Sequence, residues 1–234
     1  MRLFHSAEHA CGYYPDRIAR DLLFDPRDPT LPIGYPAALA MGFRRSGGHV
    51  YRPRCANCRA CVPVRMNVRD FRPDRSQRRC LRDNADIQVR VVAPLRTDEN
   101  FALFRRYLEA RHADGPMSDS DEEDFDEFVV SNWSPTRFLE LRRDGRLLGV
   151  AVTDVFPEAL SAVYTFFDPD ENASGLGTLS ILRQIEHAQH TGRGYLYLGY
   201  WIQGHPKMDY KARFRPLQAL GDAGWRDLRQ TPTP

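Results

Sequence analysis

The stretch LSAVYTFFDPDENASGLGT, residues 160–178, decides the fold class, because a strand pattern passes directly into a glycine-rich loop there. Residues 160–167 are rich in apolar, aromatic and β-branched side chains, which favours a strand. An Asp-Pro pair ends that strand, and a loop with two glycines follows over 170–177. A helix is then predicted from about Thr178 to His190, so the unit is a strand, a glycine-rich loop and a helix.

The elements around this stretch continue a regular α/β pattern from Pro94 onward. The predicted elements are a helix that Thr97-Asp98-Glu99 caps, a loop and helix within 114–127, strands at 138–142, 147–155 and 160–167, the glycine-opened helix and a last strand at 195–201. This order resembles the acetyltransferase-like (GNAT) fold, in which two central strands splay apart and leave a slot for an acyl donor. We therefore predict an α+β protein with a GNAT-like mixed sheet.

The glycine loop is a candidate anion site. A helix N-terminus presents free backbone N–H groups and the positive end of the helix dipole to an anion. Ser174, Gly175 and Gly177 leave room for a phosphate-bearing substrate to approach those groups. The alternative is a flexible turn without a ligand, which is the commoner meaning of a single Gly-x-Gly.

Charge is divided unevenly between two parts of the chain. Residues 1–93 carry 17 arginines against 9 acidic residues, whereas residues 94–234 carry 16 basic residues against 22 acidic ones. This polarity favours a polyanionic partner, although a solvated arginine-rich surface has the same composition. Because cysteine, arginine and turn signals are concentrated in 1–93, we predict a small irregular Cys/Arg-rich domain there and the GNAT-like domain in 94–234.

The chain lacks the marks of a membrane or secreted protein. No run of about 18 apolar residues occurs. Mean hydropathy is −0.54, and the first residues contain no apolar signal-peptide core. Five cysteines, three of them closely spaced, do not form a secreted disulfide framework either. The sequence therefore predicts a soluble cytoplasmic protein with no membrane partner.

A basic helix is predicted at 74–84, between weak strand patterns at 62–68 and 87–92. Its arginines recur at helical spacing and therefore share one face, which suits phosphates. An exposed helix face is the alternative. The four residues of this stripe are Arg75, Arg78, Arg79 and Arg82.

Three cysteines at x2 spacing, Cys55, Cys58 and Cys61, form the strongest local motif. Thiols at this spacing can converge on a zinc ion or an iron–sulfur cluster. Cys11 is the preferred fourth ligand, because Cys80 lies inside the basic helix and is expected to be an ordinary packed thiol. His9 and His49 are weaker alternatives for the fourth ligand. The alternative is a set of reduced, buried cysteines.

Residues 199–216 interleave cations with aromatic side chains in an otherwise acidic half. Lys207 and Lys211 share one face if the segment is helical. Cations and aromatics together suit RNA phosphates and stacked bases, or an acidic peptide. A solvated basic loop is the alternative.

Taken together, these motifs resemble bacterial aspartate/glutamate leucyltransferases, of the arginyl-tRNA–protein transferase-like family. The resemblance rests on Cys11-Gly-Tyr-Tyr-Pro with Arg17, Gly42-Phe-Arg-Arg-Ser-Gly, Tyr51-Arg-Pro, the three-cysteine motif, Arg75-Ser-Gln-Arg-Arg with Asn84, Ser161-Ala-Val-Tyr164 with Asp168-Pro, and Lys207-Met-x-Tyr210-Lys211 with Arg215-Pro. It implies transfer of leucine from leucyl-tRNA to proteins that begin with Asp or Glu, which marks them for degradation in the N-degron pathway. Tyr14 stands where eukaryotic relatives carry a second cysteine, so any cluster depends on Cys11 and the three-cysteine motif, and iron–sulfur chemistry is not carried over wholesale.

The implied reaction is aminolysis of an activated ester by an α-amine whose reference pKa of about 7.7–8.0 leaves part of it neutral near physiological pH. No cofactor is required for this step, and positioning with oxyanion stabilisation should supply most of the rate. Asp154, near the end of an apolar strand, is the candidate that binds the amine or takes its proton; alternatively it ends the strand and faces water. Tyr164 and Tyr200 are alternative proton carriers, although core packing is the commoner role.

The predicted contacts follow from the needs of this reaction. Ser174, Gly175 and Gly177 hold the phosphate of the tRNA 3′ end. The acceptor stem contacts Arg44, Arg45, Arg75, Arg78, Arg79 and Arg82. The acceptor N-terminus contacts Lys207, Tyr210, Lys211 and Arg213, because a cation in a partly desolvated site recognises a carboxylate. The possible structural or regulatory metal is held by Cys11, Cys55, Cys58 and Cys61.

Two other functions remain open. A coenzyme-A-dependent N-acetyltransferase would use the same fold and glycine loop without RNA, but it leaves the basic half and the lysine segment unexplained. A non-catalytic, metal-stabilised RNA-binding protein would account for the cysteines and arginines, but not for the slot between strands.

Overall fold

A computed structural model of the protein describes residues 1–111 and 120–228. Within those ranges the strands are β1 (Leu3–His5), β2 (His9–Ala10), β3 (Ile18–Ala19), β4 (Asp21–Phe24), β5 (Arg44–Ser46), β6 (His49–Pro53), β7 (Val62–Asn67), β8 (Gln88–Val92), β9 (Thr136–Arg143), β10 (Arg146–Val155), β11 (Ala159–Phe167), β12 (Tyr195–Trp201), β13 (Leu217–Gly221) and β14 (Gly224–Asp227). The helices are α1 (Leu31–Ala40), α2 (Arg75–Asp83), α3 (Asp98–Arg111), α4 (Glu122–Phe128) and α5 (Leu176–His190), with 3₁₀ turns at Pro169–Ser174 and Asp209–Arg213. The α+β class predicted from the sequence is confirmed.

The described residues group into two compact units. One contains residues 1–71 together with residues from 197 onward, and the other contains residues 72–196. The predicted division at residue 93 follows composition, whereas these units follow the packing of the chain. The glycine loop and the arginine stripe lie in the unit of residues 72–196, and the cysteine motif and the lysine segment lie in the other unit.

The unit of residues 72–196 contains an antiparallel meander in the order β8, β9, β10 and β11. The turn between β9 and β10 has Asp144 and Gly145 at φ 49° and 84°. Positive φ at both central positions is the geometry that a two-residue hairpin demands, so the Asp-Gly turn prediction is confirmed. The pairing of β10 with β11 shifts register between Val152 and Thr153, which is a β-bulge.

Helix α3 packs on this meander through an apolar stripe. Phe104 of α3, Phe125 of α4 and Phe166 of β11 are all 0% exposed. Burial of each such side chain contributes about 1.5–3 kcal/mol relative to exposure. The predicted helix after Thr97 is therefore confirmed, whereas the predicted Gly115-Pro116 loop lies outside the described residues.

Helix α2 begins and ends where the sequence predicted. The Asp74 side chain accepts a hydrogen bond from the Gln77 backbone, and the Gln77 side chain accepts one from the Asp74 backbone. This capping box satisfies two backbone donors that no helical carbonyl reaches. All four arginines of the stripe are exposed, as a phosphate-binding face requires.

Among its described residues, the other unit contains three groups of strands, the smallest of which is the antiparallel pair of β2 and β3. β1, β4, β6 and β5 form an antiparallel sheet in that order, and β13 lies between β7 and β14. Tyr35 and Leu39 of α1 are buried, and so are Phe24 and Phe43, whose ring centroids are 4.7 Å apart. Among the helices of the described ranges, none is long and apolar enough to cross a membrane.

Candidate functional site

The loop that leads into α5 is anchored by a buried carboxylate. Asp168 is fully buried and accepts hydrogen bonds from Arg106 at 3.1 Å, from Arg146, and from the backbone N–H of Asp170 at 3.1 Å. Burial acts to raise the pKa of Asp168, but these hydrogen bonds outweigh it and hold the pKa below its ordinary value. Arginines from α3 and β10 thus fix the start of the loop through one charged group.

A second carboxylate fixes the end of the same loop. The Ser174 hydroxyl donates to Glu171 at 2.9 Å, and Arg143 of β9 donates to the same oxygen at 3.2 Å. A carboxylate this close repels a phosphate, so the Ser174 side chain does not suit the phosphate contact predicted for it. The backbone N–H groups of the residues after Ser174 are then the donors that remain for a phosphate.

Gly175 makes the transition from the loop to α5. Its φ of 62° lies in the left-handed region, which disfavours other residues, and a Cβ there would lie 3.7 Å from the Cys80 sulfur. The first N–H groups of α5 have no partner within the helix, and Gly177 is among them. A Cβ at Gly177 would lie 3.4 Å from the Phe167 ring, which is an ordinary contact, so it is the φ of Gly175 that requires glycine here. The helix starts at Leu176, two positions before the predicted start.

Helix α2 contacts the same loop. The Asn84 side chain, at the end of α2, donates to the Cys80 carbonyl and to the Ser174 carbonyl, each at 2.8 Å. Asn84 is 1% exposed, so these hydrogen bonds are shielded from water. The arginine stripe and the glycine loop, two separate candidates for tRNA contacts in the sequence, therefore belong to one connected structure.

Asp154 is not placed as the sequence pattern led us to expect. Its side chain is 0% exposed and accepts a hydrogen bond from Thr136 at 2.7 Å. It is therefore closed to a substrate amine and does not face water either. Tyr164 packs on Phe128 and Tyr107, and burial raises its pKa, which argues against a proton carrier there.

The four cysteines proposed as ligands lie in one neighbourhood. Burial raises the pKa of Cys61 to about 12, with further contributions from Cys11, Cys55 and Cys58. Cys58 accepts a hydrogen bond from Arg17 at 3.4 Å. Among the described residues, no three cysteine, histidine or acidic side chains come together closely enough to hold a metal ion. No step below uses a metal.

Lys211 lies inside the protein, whereas the other proposed acceptor contacts are exposed. Its side chain is 5% exposed and donates to the Tyr200 carbonyl at 2.5 Å and to the Met208 sulfur at 3.8 Å. Burial, helped by the charge of Arg44, lowers the pKa of Lys211 to about 7. The exposed residues are Lys207, Tyr210 and Arg213. The expectation that Lys207 and Lys211 share a face is wrong, because the 3₁₀ turn begins at Asp209, after Lys207.

Arg44 and Arg45 occupy different environments in β5. Arg45 is 1% exposed and donates to the Gly47 carbonyl at 3.1 Å. A buried guanidinium cannot reach an acceptor stem, so this predicted contact is wrong for Arg45. Arg44 is partly exposed, and its guanidinium lies 5.9 Å from the centre of the Tyr200 ring.

Comparison with known proteins finds a family match in each half of the chain. Residues 9–79 match the family described as "Arginine-tRNA-protein transferase, N terminus", and residues 99–221 match the C terminus of the same family. This chain belongs to the arginine-tRNA-protein transferase family. Both matches cover the regions in which the sequence resemblance was found, and the resemblance is confirmed.

Relatives within the transferase family are similar over nearly their whole length. An aspartate/glutamate leucyltransferase from Stenotrophomonas maltophilia (strain K279a) is 56% identical, over 97% of this chain and 93% of the relative. One from Xylella fastidiosa (strain 9a5c) is 52% identical, over 99% and 93%. One from Xanthomonas euvesicatoria is 58% identical, over 97% and 93%.

Among solved structures, this transferase is similar to the C-terminal domain of a proposed lysylphosphatidylglycerol synthetase from Agrobacterium fabrum. The TM-score is 0.51 at 15% identity, covering 82% of this chain and 66% of that one. At this identity the similarity concerns the fold alone.

Sequence reasoning missed the side chains that anchor the transferase's glycine loop. The strand pattern gave Asp168 no role beyond ending a strand, and it gave none to Arg106 and Arg146. The signal available was an Asp-Pro pair directly before a glycine-rich loop, because an aspartate there can accept from the N–H groups of the following turn. Nothing in the sequence indicated which arginines would reach it.

Proposed function

We propose that this protein transfers leucine from leucyl-tRNA to the N-terminal Asp or Glu of acceptor proteins, which marks them for N-degron degradation. The observation that carries the proposal is the 52–58% identity, over at least 97% of the chain, to relatives named aspartate/glutamate leucyltransferase. Identity at this level over both units supports a shared reaction as well as a shared fold.

The reaction is aminolysis. The neutral α-amine of the acceptor attacks the carbonyl carbon of the leucyl ester, a C–N bond forms, and the C–O bond to the 3′-terminal ribose breaks. The amine loses a proton and the ribose oxygen gains one, so the products are an N-leucylated protein and free tRNA. An ester is already activated, so the protein contributes binding, orientation and stabilisation of the developing oxyanion.

Binding of the tRNA is assigned to the unit of residues 72–196. The backbone at Gly175 and Gly177 receives a phosphate of the 3′ end, and the exposed face of α2 receives the acceptor stem. This assignment is supported by the hydrogen bond from Asn84 to the Ser174 carbonyl, which connects the two surfaces. The exposed arginines of that face are Arg75, Arg78, Arg79 and Arg82.

Binding of the acceptor is assigned to the segment with Lys207, Tyr210, Lys211 and Arg213. Exposed cations and an aromatic ring meet the incoming chain, and a charge-assisted hydrogen bond recognises its carboxylate. We assign the GNAT-like arrangement to this transferase on the order of its elements.

One assay tests the function against its two alternatives. The protein is incubated with leucyl-tRNA carrying labelled leucine, or with acetyl-CoA, and with peptides that begin with Asp, Glu, Arg or Lys. Leucine transfer to the Asp and Glu peptides that ribonuclease abolishes is expected. Acetyl transfer without RNA would establish the acetyltransferase alternative, and binding of tRNA without transfer would establish the RNA-binding alternative.

A further inference from the structure

A tight turn follows β12 and leads into the segment assigned to the acceptor. The four residues of this turn are Ile202, Gln203, Gly204 and His205. The N–H of His205 donates to the Ile202 carbonyl at 3.2 Å, and Gly204 has φ 69°. A type II turn requires positive φ at its third position, which glycine adopts without steric cost. The turn therefore places His205 at the start of the segment that carries the exposed Lys207.

Both ring nitrogens of His205 form hydrogen bonds, and each partner fixes the role of the nitrogen that it faces. Nε2 lies 3.1 Å from the Tyr13 carbonyl oxygen, which can only accept, so Nε2 carries the hydrogen. Nδ1 lies 3.2 Å from the backbone nitrogen of Lys207, which can only donate, so Nδ1 accepts. These two hydrogen bonds select the neutral ring with its hydrogen on Nε2. The ring thus connects the backbones of Tyr13 and Lys207, which are far apart in the sequence.

The surrounding residues hold His205 in one orientation. The rings of Tyr13 and Tyr14 each meet it edge-on, with their centroids 5.6 Å from that of the imidazole. The carbonyl of His205 accepts from the N–H groups of Met208 and Asp209, each at 2.9 Å. Because backbone and ring are both fixed before a substrate arrives, His205 is suited to hold a neighbouring residue in place.

Lys207 is the neighbour that the ring holds. It is exposed, and its ammonium has no carboxylate partner within residues 1–111 and 120–228. A lysine on a flexible backbone loses main-chain and side-chain freedom when it binds a ligand, and this loss weakens the contact. The hydrogen bond from the Lys207 N–H to His205 removes the main-chain part of that cost, which strengthens a contact with a ligand carboxylate.

We propose that His205 is a positioning residue for acceptor recognition, which holds the Lys207 backbone against the Tyr13 carbonyl so that the Lys207 ammonium meets the carboxylate of the acceptor's first side chain. The inference rests on the proposed function and deepens it at the acceptor site. His205 acts through Lys207 and does not itself touch the acceptor. Both of its ring nitrogens are already engaged, so the ring offers no polar atom to a substrate.

Peptide kinetics on three variants of His205 test the bridge. His205→Ala removes both hydrogen bonds, His205→Asn keeps an acceptor for the Lys207 N–H as an Asx turn does, and His205→Gln keeps a donor for the Tyr13 carbonyl. The KM for a peptide that begins with Glu should rise about tenfold in His205→Ala and about threefold in each of the other two. The kcat and the KM for leucyl-tRNA should stay within about twofold of the wild type. His5→Ala, at an exposed histidine of β1, is the control and should match the wild type.

A double-mutant cycle distinguishes action through Lys207 from a general loss of structure. Lys207→Gln should by itself raise the KM for the Glu peptide and lower the preference for a first Glu over a first Gln. Added to Lys207→Gln, the change His205→Ala should raise that KM by less than about twofold, because the contact that the ring supports is already lost. A purely structural His205 would raise the KM by the same factor in both backgrounds.

Several results would overturn the inference. They are an unchanged KM for the Glu peptide in His205→Ala, full recovery of that KM in His205→Asn or His205→Gln, and equal effects of His205→Ala in the two backgrounds. An unchanged KM in Lys207→Gln would show that Lys207 does not bind the carboxylate. Failure of the wild type to leucylate the Glu peptide would instead refute the proposed function itself.

NMR on the wild type keeps the test independent of variants that fail to fold. The chain contains seven histidines, and selective ¹⁵N labelling of their rings distinguishes the two neutral tautomers from the charged ring. Correlations from backbone to ring assign the His205 signals. These signals should report hydrogen on Nε2, and they should shift on addition of the Glu peptide, because Nδ1 is bonded to the Lys207 backbone. A ring with hydrogen on Nδ1, or signals unmoved by saturating Glu peptide, would refute the proposal.

Discussion

Replacing Asp168 with asparagine removes the charge that anchors the loop before α5 and leaves the shape of the side chain intact. In the wild type the buried carboxylate accepts hydrogen bonds from Arg106, Arg146 and the Asp170 backbone. Asparagine retains one acceptor oxygen but turns an NH₂ group toward donors. Both arginines are about half exposed and recover hydration, so the expected loss in unfolding free energy is about 2–3 kcal/mol, below the 3–5 of a fully buried pair.

Asp170→Asn is the matched control, because Asp170 also faces Arg106 but is 82% exposed. An exposed ion pair of this kind contributes about 0–1 kcal/mol. Urea denaturation followed by circular dichroism compares the three proteins at pH 7. Because the pKa of Asp168 is depressed, its contribution is present above about pH 4 and is lost as pH falls through the folded value. The gap between wild type and Asp168→Asn should therefore shrink in acid.

The same variant tests whether the loop matters for tRNA. A displaced loop should raise the KM for leucyl-tRNA by about tenfold, the equivalent of about 1.4 kcal/mol, with the peptide KM unchanged. Equal stability of Asp168→Asn and Asp170→Asn at pH 7 would refute the anchoring argument. If Asp168→Asn is destabilised but its KM for leucyl-tRNA equals that of the wild type, the Asp168 carboxylate stabilises the fold without contributing to tRNA binding.

Three further outcomes are expected. Arg75→Gln with Arg79→Gln should raise the KM for leucyl-tRNA and reduce the slope of its salt dependence, by about 0.7–0.9 for each phosphate that is no longer neutralised; an unchanged slope would mean that α2 does not touch the tRNA. Asn84→Ser introduces a side chain too short to reach from α2 to the Ser174 carbonyl, so the KM for leucyl-tRNA should rise while the peptide KM stays unchanged. A KM for leucyl-tRNA equal to that of the wild type would show that the α2 face and the glycine loop do not depend on this hydrogen bond. Elemental analysis of anaerobically purified wild type should find bound metal that Cys58→Ser lacks, because Cys58 is one of the predicted ligands; metal in neither protein would make the cysteines structural thiols.

Much of the local structure follows from residues close together in the sequence. Helix α2, which the capping box of Asp74 and Gln77 begins, and the Asp144-Gly145 turn occur where the sequence predicts them, because caps and tight turns depend on a few adjacent dihedral angles and side chains. The family was also recognisable from short motifs that follow one another along the chain in the same order as in the family. The Lys207 segment was less predictable, since a 3₁₀ turn and an α-helix share similar residues.

Burial of charged groups depended on packing between distant segments. Arg44 and Arg45 point to opposite sides of β5, as any neighbours in a strand do, but only the surrounding chain made one side closed to solvent. Asp154 is 0% exposed although it stands near the end of its strand, and the Asp168 anchor needed arginines from α3 and β10. The sequence by itself determined the elements, the turn geometry and the family. Which charges lie inside and which remain exposed to a substrate was decided by tertiary structure, because desolvation depends on what the rest of the chain places around a group.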